Sequence, residues 1–226
     1  MAAGCNPFMK YGEVVRIPKH TPIRNPTAES QHDRLYVLVE GVCSLSTFAE
    51  SGKESVILYF KPGDFVGYVP LLIEEKRMQE TSSLEYLTGV STYSKTDCKL
   101  SRISGATFST LRKNAEFNEM LMDSVFRHYQ CAVVAHRIRA SKAAPAAVAA
   151  FVLYQSEADC NGRQSLSSFF TYSEISKSLD LHPVSVGRVI SALIKTGALV
   201  REGRKLVVKN YRFMVGVANE EIDLKY

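Results

Sequence analysis

Residues 171–197 read TYSEISKSLDLHPVSVGRVISALIKTG, and their apolar spacing predicts two short helices joined by a tight turn. In the first helix, Ile175 and Leu179 lie one helical turn apart. In the second, apolar residues recur at steps of three and four: Val186, Ile190, Leu193 and Ile194. Pro183 suits the first position of the second helix, where its missing N–H costs nothing, and Gly197 ends that helix. This arrangement has the length of a helix-turn-helix.

The residues on either side extend this unit. Thr171 is followed three residues later by Glu174, which is the capping-box pattern at a helix start. Residues 198–200 and 206–208 are short apolar stretches that predict two strands, with a hairpin turn at Glu202-Gly203. The segment therefore predicts a winged helix-turn-helix with a basic wing.

Charge is concentrated in the same part of the chain. Between residues 165 and 212 there are eight basic and three acidic side chains, a net charge of +5 that equals the value for the whole chain. The bases are Lys177, Arg188, Lys195, Arg201, Arg204, Lys205, Lys209 and Arg212. A local positive excess is typical of phosphate binding and so of a nucleic-acid partner. A winged helix that binds only protein is the alternative.

The bulk composition excludes several classes of protein. The chain has 226 residues and is 46% apolar, enough for two globular domains. It has no run of 18 apolar residues and its N-terminus lacks a signal-peptide pattern, so we expect no membrane association and a cytoplasmic protein. Its five cysteines are widely spaced, which predicts free thiols and argues against a metal or iron–sulfur site.

The first half of the chain is strand-like. Short β-branched and aromatic runs at 36–41, 43–48, 55–60, 84–90 and 98–103 alternate with turn signals such as Ser51-Gly52-Lys53 and Pro62-Gly63-Asp64. Many short strands with turn signals every 8–12 residues predict a β-roll or barrel.

From Thr107 the apolar period becomes helical, and a long helix is predicted over residues 115–142. One stripe steps by four and three along it, which is the spacing of a coiled-coil seam: Phe117, Leu121, Val125, His128, Ala132 and Ala135. We expect this stripe to form the interface of a homodimer; the alternative is that it packs on its own β-domain.

We therefore predict an α+β chain of three parts. These are an N-terminal β-roll domain over residues 1–113, a dimerisation helix over 114–142 and a winged helix-turn-helix domain over 143–226.

This order resembles the CRP/FNR family of bacterial transcription regulators, over roughly residues 11 to 209. Three pieces carry the resemblance: LYVLVEG at 35–41, KPGDFVG at 61–67 and the helix-turn-helix with its VGRV core at 186–189. The resemblance implies a cyclic-nucleotide-binding-like jelly roll, an effector pocket between roll and long helix, and control of DNA binding by that effector.

The chain departs from the cyclic-AMP sensors of that family. They place Glu after the Gly of Asp-Phe-x-Gly, where this chain has Tyr68, and an Arg-Ser pair where it has Thr88-Gly89. The polar pair of their long helix is replaced here by Ala132-Val133. Because a buried phosphate without its arginine is costly, cyclic AMP is not expected to bind.

A smaller or more aromatic effector is the expectation instead, since apolar walls with a few hydroxyls suit such a ligand. The candidate pocket residues are Gly67, Tyr68, Tyr86, Thr88, Tyr93, Tyr129, Ala132 and Val133. His20, His32, His128 and His136 raise haem as a possible cofactor, without a pairing that singles out an axial ligand. Cys43, Cys98 or Cys131 could sense redox state, but nothing adjacent in sequence predicts a lowered pKa.

For DNA, the family position best matched is Arg188, which aligns with a base-contacting arginine; the Arg-Glu pair that precedes it in many members is here Pro183-Val184. Arginine can bridge O6 and N7 of guanine. The full set of predicted DNA contacts is Thr171, Lys177, His182, Val184, Ser185, Arg188, Arg201, Arg204 and Lys205. A dimer of this kind predicts a pseudo-palindromic operator, and activation would require contact with RNA polymerase.

Other classes of function fit less well. The sequence holds no nucleophile elbow, P-loop, H-E-x-x-H or G-x-G-x-x-G motif, so we expect no enzymatic activity. Two alternatives keep the same scaffold: a haem- or redox-sensing regulator, and a ligand-gated module that binds a protein partner and not DNA.

Overall fold

The structure is a computed structural model that describes residues 6–24, 34–69, 71–72, 90–140, 143–158 and 162–226. The chain divides into two compact units, 1–131 and 132–226, and the division falls within the long helix.

The first unit is a β-roll of two antiparallel four-stranded sheets. One sheet has the order β1 (Glu13–Ile17), β8 (Cys98–Ser104), β3 (Arg34–Glu40), β6 (Phe65–Val66). The other has the order β2 (Pro22–Arg24), β7 (Val90–Ser94), β4 (Cys43–Phe48), β5 (Glu54–Phe60). A 3-10 helix, Pro7–Tyr11, precedes them. The predicted roll is confirmed; of the strand expected at 84–90, only Val90 lies within the described residues.

β3 lies at the centre of this unit because both of its faces are buried. Leu35 and Val37 join one apolar cluster, which also contains Phe65 and Phe117. The alternate residues, Tyr36 and Leu38, join a second cluster around Cys43, Leu58 and Phe60. Successive side chains of a strand point to opposite faces, so an unbroken apolar run produces a strand buried on both sides.

The long helix runs over Ala115–Ala140, after a short helix at Gly105–Leu111. Its first buried residue, Phe117, makes edge-to-face contacts with Phe8 and Phe65 at centroid distances of 5.0 and 5.5 Å. Leu121 is fully buried in the same cluster and Val125 packs against it.

The dimer interface predicted at Phe117, Leu121 and His128 is therefore wrong, because these side chains are buried on the β-roll of their own chain. Val125 packs against the same roll but is only half-buried. The last two residues of that stripe, Ala132 and Ala135, are half-buried in the second unit. A different apolar stripe faces outward: Met122 is 59%, Phe126 60% and Tyr129 66% exposed.

The second unit begins with an alanine-rich helix, Ala144–Gln155. Its sheet has the order β11 (Leu199–Glu202), β12 (Lys205–Val208), β10 (Gln164–Leu166), β9 (Glu157–Ala158). β10 ends at Leu166, because the following residues form a turn in which Phe170 N–H donates to Ser167 O at 3.1 Å. A last helix, Tyr211–Ala218, was not expected from sequence.

Candidate functional site

The helix-turn-helix of the second unit consists of Tyr172–Leu179 and Pro183–Lys195. Oγ1 of Thr171 accepts a hydrogen bond from Glu174 N–H at 3.2 Å, as the capping pattern predicts. Between the helices, Asp180 adopts a left-handed conformation with φ +56°, and its short polar side chain tolerates this. The turn ends at His182, whose Nδ1 accepts from Val184 N–H at 3.3 Å.

The Thr171 cap gives a direct prediction. Thr171→Ala should lower the free energy of unfolding by about 1 kcal/mol, because the Glu174 N–H loses its acceptor at the helix start. Urea unfolding followed by circular dichroism measures the change. Thr171→Ser, which keeps the hydroxyl, should unfold like the wild type, and equal losses in both variants would contradict the capping role.

The second helix has one buried and one exposed face. The buried face of the helix carries four fully buried side chains: Val186, Val189, Ile190 and Leu193. The exposed residues step by four, three and four along the other face: Val184, Arg188, Ser191 and Lys195. Ser185 is half-buried. Ser191 was not among the predicted contacts, although its spacing from Arg188 would have indicated it.

The wing is the hairpin of β11 and β12. Glu202 pairs with Lys205, so the two loop residues are Gly203 and Arg204, one position later than the turn predicted at Glu202-Gly203. Gly203 has φ +60°, the positive angle that the first loop residue of a type II′ hairpin requires. The loop places Arg204 and Lys205 on the exposed tip.

Tyr172 connects the wing to the second helix, and sequence reasoning missed it. Arg201 donates from a terminal guanidinium nitrogen (Nη2) to the Tyr172 hydroxyl at 2.7 Å. The Tyr172 ring lies against Gly187, where an added Cβ would come within 3.3 Å of two ring carbons. Arg201 is therefore held at the exposed edge of the helix-turn-helix.

The basic side chains of this unit fall into two groups: some form ion pairs with carboxylates, and others are exposed to solvent. Lys177 lies 3.7 Å from Glu174 on the same helix, and Lys209 lies 3.2 Å from Glu202. Arg163, which the sequence did not single out, also contacts Glu202, at 3.7 Å. Lys177 is therefore half-buried and partly neutralised, whereas Arg188, Arg204 and Lys205 are exposed to solvent.

In the first unit, Tyr68 is the one predicted effector residue that is well buried among those the structure describes. Its hydroxyl lies 2.8 Å from Nδ1 of His128, and the two rings stack almost in parallel. Burial, together with the nearby charge of Asp64, raises the pKa of Tyr68 to about 12. The phenol therefore keeps its proton at neutral pH.

His128 lies at the centre of this contact. Its ring meets the edge of Phe60 at a centroid distance of 4.9 Å, and its Nε2 is 3.6 Å from Oδ2 of Asp64. Nε2 is buried and has no hydrogen-bond partner among the described residues. The other carboxylate oxygen of Asp64, Oδ1, accepts a hydrogen bond from Arg127 at 3.2 Å. The turn after β5 is thus tied to the long helix through polar contacts.

Tyr93 and Tyr129, two other predicted effector residues, do not share the buried position of Tyr68. Tyr93 packs on the half-exposed Phe48 at 5.0 Å while its strand neighbours Thr92 and Ser94 are buried, so Tyr93 faces away from the roll interior. Tyr129 is exposed on the long helix, and Gly67 has φ +84° in the turn before Tyr68. Tyr86 and Thr88 lie outside the described residues, and Ala132 and Val133 belong to the second unit.

Of the histidines considered for haem, His20 and His136 are exposed and His32 lies outside the described residues. Within the described ranges, no three His, Cys, Asp or Glu side chains are grouped as metal ligands would be. Across the same ranges, no helix has the length and apolar character needed to cross a membrane.

Comparison with known proteins agrees with this architecture. Residues 14–115 match the cyclic nucleotide-binding domain family. No curated protein sequence matches the chain.

Several solved structures share the fold over nearly the whole chain. FixK2 from Bradyrhizobium japonicum is 16% identical with a TM-score of 0.72, covering 91% of this chain and 96% of its own. A CRP-family transcriptional regulator from Thermus thermophilus is 15% identical with a TM-score of 0.66, covering 93% of this chain and 98% of its own. The c-di-GMP responsive global regulator CLP from Xanthomonas campestris is 19% identical with a TM-score of 0.65, covering 90% and 96%.

Proposed function

We propose that this chain, which is of the CRP/FNR type by its domain family and its fold, is a transcription regulator that binds DNA as a homodimer. Its operator is a pseudo-palindrome, and a small molecule other than cyclic AMP controls its binding. The proteins that share its fold include transcription regulators, which supports a regulatory role and not an enzymatic one.

The observation that carries the proposal is the exposed face of the second helix. Val184 and Arg188 lie on that face, and the wing beside it presents Arg201, Arg204 and Lys205. A helix in the major groove reads bases with its exposed side chains, while flanking basic groups neutralise phosphates. Arg188 can bridge a guanine, and Val184 can pack on a thymine methyl.

The homodimer is proposed through Met122, Phe126 and Tyr129, which project from the long helix at steps of four and three. Val133 continues the spacing and is 48% exposed. Contiguous exposed apolar side chains are typical of an interface, and this spacing suits a parallel helix pair. The opposite side of the helix, around Phe117 and Leu121, is already covered by the roll of the same chain.

The spacing of the operator's half-sites follows from the two-fold symmetry of the proposed dimer. The two half-sites should be centred about 10 bp apart, or a multiple of this, so that both second helices enter the major groove on one side of the duplex. An electrophoretic shift with genomic fragments and excess competitor DNA, followed by footprinting, tests this. Two protected half-sites are expected. A single half-site, or no shift with any fragment, would contradict the proposal and favour a protein partner.

The effector is proposed to act near Tyr68 and His128, where the roll meets the first part of the long helix. Tyr68 stands where cyclic-AMP sensors carry Glu, and it can donate from a neutral hydroxyl. Native mass spectrometry of the purified chain should retain a small molecule, and calorimetry with cyclic AMP should show no binding. Micromolar cyclic-AMP binding would contradict this choice of ligand class. An activating role would further require contact with RNA polymerase.

A further inference from the structure

Two cysteines that are 55 positions apart in sequence lie in contact inside the roll. Cys43 begins β4 and Cys98 begins β8, and their Sγ atoms are 3.6 Å apart. A disulfide bond is about 2.05 Å long, so the sulfurs need to approach by roughly 1.5 Å for the bond to form. The two strands belong to different sheets.

The backbone around the two thiols is held by its own hydrogen bonds. Val42 N–H donates to Oγ1 of Thr96 at 2.9 Å, and Lys95 N–H donates to Val42 O at 2.8 Å. These bonds join the residue before Cys43 to the turn that precedes Cys98. The positions of the cysteines are therefore fixed by neighbours that do not depend on a bond between the sulfurs.

The two thiols differ in the direction in which their pKa values are shifted. The hydrogen bond with Cys43 lowers the pKa of Cys98, and the same contact together with burial raises the pKa of Cys43. The Thr96 hydroxyl, 3.8 Å from the Cys98 sulfur, is a second side-chain contact that lowers the pKa of Cys98. Cys98 is the better thiolate of the pair, since Cys43 can donate its S–H to it.

We propose that Cys43 and Cys98 are a redox-sensitive pair that closes to an intramolecular disulfide when the folded chain meets a peroxide. This inference does not depend on DNA binding or on the effector. The bond would join the two sheets of the roll at the end where the Gly41-Val42 and Thr96-Asp97 turns meet.

The chemistry has two steps. The Cys98 thiolate attacks one oxygen of hydrogen peroxide, the O–O bond breaks, and a sulfenic acid and hydroxide form. Cys43 gives its proton to that hydroxide and its sulfur attacks the sulfenic sulfur, so that an S–S bond forms and hydroxide leaves. The two thiols lose two electrons, and the peroxide is reduced to water and hydroxide. A dithiol reductant reverses the reaction by exchange.

The reaction depends on whether peroxide can reach the two sulfurs and on whether another thiol competes for the bond. Cys43 is fully buried and Cys98 is 4% exposed, but both lie directly beneath turns whose residues are half-buried or exposed. The proposed reaction requires that hydrogen peroxide, which is close to water in size, reach the Cys98 sulfur between these turns. Cys131 of the long helix packs against the same cluster, so it is the competing partner.

The test is disulfide mapping on the folded full-length chain. After treatment with hydrogen peroxide, free thiols are alkylated in denaturant and the protein is digested with trypsin. Mass spectrometry should find residues 35–53 joined to residues 96–99, and dithiothreitol given before alkylation should separate them. Free Cys43 and Cys98 after treatment, a bond from either to Cys131, or a bond only between chains would overturn the proposal.

Two variants separate the steps. Cys131→Ser should form the same linked peptide as the wild type. Cys43→Ser should stop at the sulfenic acid of Cys98, which dimedone traps in the peptide of residues 96–99. A Cys43→Ser chain without trapped Cys98 would assign the first attack to another thiol and overturn the order of steps. If this variant does not fold, the wild-type and Cys131→Ser maps still decide whether the bond forms.

Discussion

Phe126→Asp should convert the proposed dimer into a monomer and remove binding to the proposed operator. Phe126 is 60% exposed in the single chain, so its replacement leaves the core of the roll intact, but it places a carboxylate in the middle of the Met122–Tyr129 stripe. In a two-fold interface the change occurs twice. The loss of two aromatic anchors is worth about 4 kcal/mol, close to a thousandfold in dimer affinity.

Sedimentation equilibrium measures the dimer affinity, and circular dichroism shows whether the monomer keeps its fold. Phe126→Leu is the matched control, since it retains an apolar side chain and should remain largely dimeric. The contrast with Phe117→Asp is informative, because that change places a charge in the buried cluster and should unfold the first unit. A Phe126→Asp chain that stays dimeric would show that another surface forms the interface.

Arg188→Ala should weaken binding to the operator by about 1–3 kcal/mol at each half-site while leaving affinity for random DNA nearly unchanged. Arg188 is exposed on the second helix, one turn after Val184, where a bidentate bond to guanine is possible. Fluorescence anisotropy with operator and scrambled duplexes measures the difference. Relaxed preference at one base pair of each half-site should accompany the loss.

Lys205→Ala is the matched control for Arg188→Ala. It removes one exposed positive charge at the wing tip, so it should weaken both duplexes alike and reduce the salt dependence of binding by about one counterion per subunit. Equal losses on operator and scrambled DNA for Arg188→Ala would identify Arg188 as a phosphate contact and leave base readout to Val184 and Ser191.

The helix-turn-helix could be predicted from sequence because its signals are local. Pro183, the 3–4 apolar spacing and the Thr171 cap each act within a few residues, and the structure has all three where the sequence places them. Strands β3 and β5 of the roll were predictable for the same reason. Their length and β-branched content match strands that are buried on at least one face.

What sequence could not supply depends on distant partners. The long helix carries two apolar stripes with similar spacing, one through Phe117 and one through Phe126, and only the position of the roll decides which is covered. The contact between Cys43 and Cys98 likewise requires two sheets to meet. Nothing near Cys98 in sequence indicates that a second thiol lowers its pKa, which is why the sequence alone predicted no such shift.

Because strand β3 is buried on both faces, it should tolerate insertions far less well than the exposed loops of the roll. One extra residue between Leu35 and Leu38 would exchange the side chains that enter the two clusters, so both layers would lose their packing at once. The exposed hairpin loop at 49–53 can lengthen without such an exchange, because no side chain there belongs to either cluster. Natural insertions should therefore accumulate at that loop and be eliminated from β3. The same loop is the place where an engineered tag should be tolerated.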